Sequence, residues 1–341
     1  MLVSLLVGLS MSVFCLWLAF KDVDFTALSR SLSQVGWAWV AGSVLLGYLG
    51  LAVRSFRWSY LLPISQGVRF SSLLSATFIG MMANNILPAR VGEVVRAWVL
   101  RHRDGIPVPE ALGSIVLERL LDVLAALVIL GGCLALSPDL GDQASRLLKR
   151  AGSLLLAVAL VAVAALVFAG RRRDTVVEWM RPWAIRMAPA LAQRAMNGLS
   201  RFLRGLDGLR GGRQIATLGV LSLLIWAMAI ASFQLIAEGL NLQLSVIQMS
   251  LVFIIVLFGV AIPSAPGFVG TFHGFCVAGL TLVVGMDATP AATFATLAHG
   301  SGWLAITLAG FAFLFLDGTL TWSRFLAMWK APTGEGVGDR T

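Results

Sequence analysis

The stretch NNILPARVGEVVRAW, residues 84–98, interrupts an apolar run that would otherwise read as an ordinary membrane span. A second stretch, AIPSAPGFVG at 261–270, interrupts another. Pro88 to Gly92 and Pro263 to Gly267 repeat the same Pro-to-Gly spacing. Proline removes a backbone donor and breaks a helix interior. In lipid the freed carbonyls must find partners, so such a break is tolerated only inside protein or beside a wet cavity. Helices restarting at Val91 and Phe268 would leave unpaired N–H groups and a partial positive charge in mid-bilayer, which suits an anion. Gly92, Gly267 and Gly270 permit close backbone approach, and Asn84 and Asn85 can satisfy the broken backbone. The plainer alternative is a pair of kinked helices, since Pro and Gly are frequent in membrane spans.

Working outward, the rest of the chain is equally apolar. Of 341 residues, 58% are hydrophobic and 13% charged, and the mean hydropathy is +0.87. That composition excludes a soluble enzyme, a secreted disulfide scaffold and a disordered chain. A membrane helix needs roughly 20 apolar residues. Leu2–Phe20, Gly36–Val53, Ala111–Leu136, Ser153–Gly170, Ile215–Ala237 and Ala291–Leu316 meet that requirement, and 70–100 and 245–285 read as broken hairpins. MLVSLLVGLS lacks a basic start, and no A-x-A site follows Phe20, so a first span is expected rather than a cleaved signal. Cys15, Cys133 and Cys276 sit in apolar runs without CxxC or a Cys/His cluster, so no disulfide and no metal are expected.

The net charge of +9 invites a nucleic-acid reading, but the basic residues lie between spans, as on the cytoplasmic side of an inner-membrane protein. Residues 171–213 hold ten Arg against Asp174, Glu178 and Asp207, and mix them with Val176, Trp179, Met180 and Trp183. An amphipathic cytoplasmic loop at the headgroups fits. Arg54, Arg57 and Arg69 read as a second basic loop, Arg101 and Arg103 as a third. Both termini then fall on the cytoplasmic side, although Arg146, Lys149 and Arg150 fall outside, against the trend.

The order apolar run, Pro-to-Gly break, short helix, Pro-started span recurs. Pro109 precedes Glu118 by nine residues, and Pro290 precedes His299 by nine. Two spans, a hairpin and one more span make an odd number of crossings, so the second copy is inverted. The expected architecture is an all-α polytopic membrane protein, an inverted repeat of two halves, each with three spans plus a broken, re-entrant helical hairpin. The halves are 1–152 and 153–325, followed by a flexible tail, 326–341. Inverted repeats with interrupted helices mark transporters that bind substrate near the midplane.

Charges inside the spans are costly and therefore informative. Glu118 and Asp122 share a helix face, and Arg119 can pair with Asp122. Two readings stand: an ion pair locking helices, or the lining of a substrate or proton path. Glu93 and Arg96 lie on the short helix after the first break. Arg90 or Arg96 can pair a phosphate. His273 and His299 are core histidines or, if either titrates near neutrality, proton carriers. No P-loop, Rossmann fingerprint or nucleophile elbow is present, so no ATP-driven transport by this chain and no cofactor are expected.

NNILPARVGEVVRAWVLR, IVLERLLDVLAAL and IPSAPGFVGTFHGF, in that order, resemble the flippase-like family named for the transmembrane region of lysylphosphatidylglycerol synthase, over roughly residues 1–320. The resemblance implies handling of polar-headgroup lipids. It carries over Pro88, Arg90, Gly92, Glu93, Arg96, Glu118, Arg119 and Asp122 as a first motif. Pro263, Pro266, Gly267, Gly270 and Thr271 form a second. In aminoacyl-lipid synthases of this kind a soluble tRNA-dependent domain follows. The chain reaches Thr341 without one, so synthesis of an aminoacylated lipid is not expected of it alone. The expected function is a non-enzymatic flippase for a phospholipid, glycolipid or polyprenyl-type lipid. The alternatives are a secondary transporter for a small solute and a non-transporting partner of a lipid-modifying enzyme.

Overall fold

The structure is a computed structural model that describes residues 2–62, 67–136, 142–187, 191–206 and 211–316. Every regular element among them is helical. In chain order they are α1 (Leu2–Phe20), α2 (Phe25–Ser33), α3 (Trp37–Leu61), α4 (Phe70–Ile86), α5 (Gly92–Asp104), α6 (Val108–Leu136), α7 (Asp142–Arg171), α8 (Arg173–Met187), α9 (Ala192–Gly205), α10 (Gly212–Gly239), α11 (Val246–Gly259), α12 (Thr271–Gly279) and α13 (Ala288–Leu316). Among the described residues, six segments are long and apolar enough to cross a membrane: α3, α6, 152–171 of α7, α10, 266–284 and α13. The tail expected at 326–341 lies outside the described residues.

Both interruptions form where the prolines place them. A short 3-10 turn, Pro88–Arg90, separates α4 from α5, and a second, Pro266–Phe268, lies between α11 and α12. The second turn starts at Pro266, not Pro263, so the local match is Pro88 and Gly92 with Pro266 and Gly270. Pro263 lies exposed in the preceding bend. The extra Pro explains the misregister: PSAPG offers two prolines and two glycines within reach, and only the backbone decides which pair turns. Gly267 has φ +68°, a conformation suited to glycine. Past α12 the helix widens into a π-type turn, Leu280–Val284.

At 1.5 Å per residue, α4 is about 26 Å long and α11 about 21 Å, both short of the roughly 30 Å of hydrocarbon. The packing brings their ends together. α4 packs on α5 and α13, α11 on α12 and α6, and α3 lies along α10. The two 3-10 turns touch. The first spans are not placed alike: α1 packs on α12 and α13, whereas α7 packs on α6.

The bundle has two distinct ends. At one, Arg69 pairs with Asp104 at 3.2 Å, Gln214 donates to the Tyr60 carbonyl, and Arg204 of α9 approaches Glu110 at 3.7 Å. Residues 171–213, read as a loop, contain α8 and α9, and α9 docks on the start of α6 where Gly113 faces Gly205. Trp179 and Trp183 of α8 stay exposed, as an interfacial helix requires. At the other end the Gly36 amide donates to the Gly239 carbonyl and the Asp24 amide to Thr289 Oγ1. Asp24 also caps α2 by accepting from the Thr26 and Ala27 amides, and Ser245 with Gln248 forms a capping box on α11.

The hairpin of α4 and α5 closes at Gly80 and Gly92. A Cβ on Gly92 would collide with the Gly80 carbonyl and the Asn84 side chain. Gly92→Ala is therefore expected to destabilise the purified protein by about 1–3 kcal/mol, the usual scale of overpacking. Gly219→Ala, where a Cβ meets open space, should leave the melting temperature unchanged or raise it. Thermal unfolding of both variants in one detergent makes the comparison.

Candidate functional site

Four helices meet around two carboxylates of α6. Glu118 is fully buried and accepts from Arg96 of α5 through both oxygens, at 3.2 and 2.9 Å, and from Arg54 of α3 at 2.9 Å. Arg119 donates to the same carboxylate. Asp122, one turn on, pairs with Arg54 at 2.8 Å, Arg57 at 2.8 Å and Arg119 at 3.3 Å. Glu93 adds a third carboxylate, 3.4 Å from Arg96 and 3.8 Å from Arg119. Helix α10 completes the ring: Ser222 Oγ accepts from Arg57 at 2.7 Å, and Trp226 Nε1 donates to the Asp122 carbonyl at 3.1 Å. The Arg96 guanidinium lies 4.2 Å over the Trp58 ring, whose Nε1 donates to Ser114.

Arg54 and Arg57 correct the sequence reading. They are not loop anchors on the cytoplasmic surface but buried groups on α3, which continues to Leu61 instead of ending near Val53. The signal was present in VRSFRWSYLL (53–62): two arginines three apart, on one face of a helix whose apolar pattern runs past them. Ser222, Trp58 and Trp226 were also missed, because in one sequence they look like ordinary span residues. With Arg54, Arg57, Arg96 and Arg119 against Glu93, Glu118 and Asp122, the ionised network carries one positive charge in excess.

The network is packed, not hollow. Arg57 and Glu118 have no exposed surface, and Arg96 is 1% exposed. Arg96 is therefore committed to Glu118 rather than open to a phosphate. Only the edge of the network is accessible: the side chains of Arg119 and Glu93 are 43% and 28% exposed. Arg90, at the first turn, is exposed as well and lies within electrostatic reach of both. Its guanidinium sits 4.9 Å over the Phe268 ring of the second turn. Arg119 stands eleven residues into the 29-residue α6, about 16 Å from its start.

The remaining polar residues tie the turns in place. Asn84 accepts from the Gly92 amide at 2.8 Å, capping the start of α5. Asn85 donates to the Trp303 carbonyl and Thr307 Oγ1 of α13. On the second turn, the Ala265 amide donates to Ser12 of α1, and Thr271 Oγ1 donates to the Phe268 carbonyl. His299 Nε2 bonds the Gly267 carbonyl at 2.8 Å, and His273 packs edge-on to it. The structure thus splits the predicted residues into two groups. Glu93, Arg96, Glu118, Arg119 and Asp122 form the charge network. Asn84, Asn85, Pro88, Arg90, Gly92, Pro266, Gly267, Gly270, Thr271, His273 and His299 gather at the two turns. Pro263 belongs to neither. A separate apolar cavity of about 530 Å³ lies between α3, α6, α10 and α11, with Gln234 and Ser250 its polar members. The three cysteines are buried and unpaired, and no cluster of three or more metal-ligating side chains occurs among the described residues.

Interrupted helices, an apolar exterior and buried charge define a multi-pass membrane protein. Residues 1–310 match the family described as the lysylphosphatidylglycerol synthase TM region, and the chain belongs to that family. It is 24% identical over 302 residues to a UPF0104 membrane protein of Methanothermobacter thermautotrophicus, covering 83% of this chain and 85% of that one. A second UPF0104 membrane protein of that organism is 25% identical over 267 residues, 73% of this chain and 77% of the relative. A glycosyltransferase, AglD of Haloferax volcanii, is 30% identical over 149 residues, 42% of this chain but only 24% of AglD. No solved structure matches.

Removing one member of a buried pair strands the other in low dielectric, at about 3–5 kcal/mol. Glu118→Gln and Arg57→Ala should each lower thermal stability on that scale. Asp22→Asn, a largely exposed carboxylate 3.7 Å from Lys21, should not. Equal melting temperatures for all three would show that the network does not hold the helices.

Proposed function

We propose that this protein moves a phosphate-bearing, polar-headgroup lipid across the inner membrane. Two inverted halves, 1–152 and 153–325, would each contribute a re-entrant hairpin, α4–α5 and α11–α12, and the headgroup would pass where their turns meet. The observation that carries this reading is the exposure of Arg90, Glu93 and Arg119 beside two helix breaks near mid-span. A charge facing hydrocarbon at that depth costs at least about 2.5 kcal/mol. Charged groups left accessible there need water or an ionic headgroup.

The chemistry favours an anion. The network is one positive charge in excess, and Arg90 adds a second. In this scheme Arg90 and Arg119 contact the phosphate, while Arg96, Arg54 and Arg57 position α6 and α5. The apolar cavity between α3, α6, α10 and α11 offers room for an acyl chain. Tails remain in the bilayer and the halves rock to change the exposed side. Family membership supports lipid handling, since the family is named for the membrane region of a lipid-modifying enzyme. None of this requires the chain to be an enzyme. The basic end of the bundle, with Arg69, Arg101, Arg103 and the 171–213 segment, faces the cytoplasm by the positive-inside rule, which puts both termini inside.

The test is reconstitution in liposomes with labelled phospholipids and a membrane-impermeant quencher. The protein should speed loss of inner-leaflet protection over empty liposomes. Arg119→Ala and Arg90→Ala should slow it about tenfold or more, the scale of one charge-assisted contact. A wild-type rate equal to that of empty liposomes, for lipids of several headgroups, would refute translocation.

A further inference from the structure

The second turn holds polar groups that the charge network leaves unused. His299 of α13 bonds the Gly267 carbonyl at 2.8 Å. That carbonyl only accepts, so Nε2 of His299 carries the hydrogen and Nδ1 of the neutral ring keeps its lone pair. Phe272 stacks on the same ring with centroids 4.7 Å apart. His273 stands edge-on, its centroid 4.8 Å from that of His299 and its plane at 84°. His273 is 8% exposed, and its Nδ1 is buried without a hydrogen-bond partner.

We propose that His273 and His299 form a one-proton site that couples a proton to movement of the second turn; the coupling to lipid rests on the function proposed above. One proton from water adds to Nδ1 of His299. No bond to carbon breaks and no electron moves. The resulting imidazolium is stabilised three ways. Its bond to the Gly267 carbonyl becomes charge-assisted. The Phe272 face offers a cation–π contact. His273, kept neutral, supplies a lone pair in the same pocket. A second proton is opposed by like-charge repulsion at this separation, so the pair takes one.

The surroundings leave this charge to the pair. From α1, Cys15 packs against Gly274, and Lys21 follows Phe20, whose ring is 5.9 Å from His273. From α12 comes Cys276, and from α10 the apolar Phe233 on Phe272. Across the contact between turns, Arg90 lies over Phe268. Among the described residues no carboxylate pairs with either ring. A proton here therefore acts on the turn itself. Gly267 also packs against the Trp303 indole and the Asn85 carbonyl, and Trp303 Nε1 donates to that carbonyl at 3.4 Å. Tightening the His299 bond thus bears on α4 just before Pro88, and on the Arg90 contact.

The chain has three histidines, His102, His273 and His299, so nitrogen-15 histidine labelling resolves them. In nanodiscs, with His102→Gln removing the surface signal, one proton should enter the pair as the pH is lowered. His299→Gln should abolish that uptake. Two rings that stay neutral throughout, or that titrate independently to two protons, overturn the proposal. In liposomes a one-unit pH gradient should enrich a labelled phospholipid in one leaflet by up to about tenfold for one proton per lipid, and His299→Gln should reduce that ratio to one. Lipid movement indifferent to the gradient refutes the coupling and leaves translocation standing. Proton uptake without lipid movement in the wild type does the reverse.

Discussion

Glu118 cannot stand alone in hydrocarbon, and the rest of the architecture follows from how its charge is met. Three arginines from three helices, α3, α5 and α6, reach it within hydrogen-bonding distance. Asp122 recruits Arg57, which brings in α10 through Ser222. Helices in lipid have little hydrophobic drive to associate, so packing and polar contacts decide where they sit. A buried network of this kind adds less net stability than an apolar core of equal volume, but it penalises every arrangement that leaves one member unpaired. It specifies more than it stabilises. Its most consequential link is Arg96, because α5 is short and starts at an interruption. Anchoring α5 to α6 fixes where the first turn sits, and therefore where Arg90 and Glu93 are presented.

The two turns share a backbone plan and differ in chemistry. Each places a non-glycine residue at positive φ, Arg90 at 53° and Phe268 at 61°, two residues after its proline. Such conformations are uncommon and persist when the surroundings over-determine them. Here the surroundings are each other: the guanidinium of Arg90 covers the ring of Phe268. The first turn carries fixed charge, and the second carries neutral imidazole and hydroxyl groups. A pathway built from both would hold an anion on one side and vary its protonation on the other.

The fold was readable from the sequence where the physics is local. Runs of about twenty apolar residues became helices, and Pro88 and Pro266 broke them. Asn84, four residues ahead of Pro88, caps the glycine beyond the break. What escaped was set by tertiary contacts. Arg54 and Arg57 share most of their local signature with interfacial anchors; the apolar pattern running past them to Leu62 is the one local hint, and the position of Glu118 and Asp122 on another helix makes them interior. The choice between Pro263 and Pro266 depended on how α12 meets Ser12 and Trp303, contacts far away in sequence. Arg96 was recognised as important, but its role reversed. A sequence shows that an arginine is deep in the membrane; whether it faces a ligand or a carboxylate depends on the helix opposite.

The accessible surface around the turns also bears on the cargo of the proposed pathway, a lipid or a water-soluble solute. A solute site surrounds its ligand with polar groups and closes. Here the accessible charges have apolar neighbours that are equally accessible: Val94, next to Glu93, is 48% exposed, and Val269, next to Phe268, is 38% exposed. Both would be poorly placed against water alone, and Arg90 and Arg119 would be poorly placed against hydrocarbon alone. An amphiphile would satisfy both, its phosphate on guanidinium groups and its apolar part on the valines. The mixture of exposed charge and exposed aliphatic surface distinguishes this site from an ordinary buried salt bridge, and within the proposed pathway it favours a lipid headgroup as occupant.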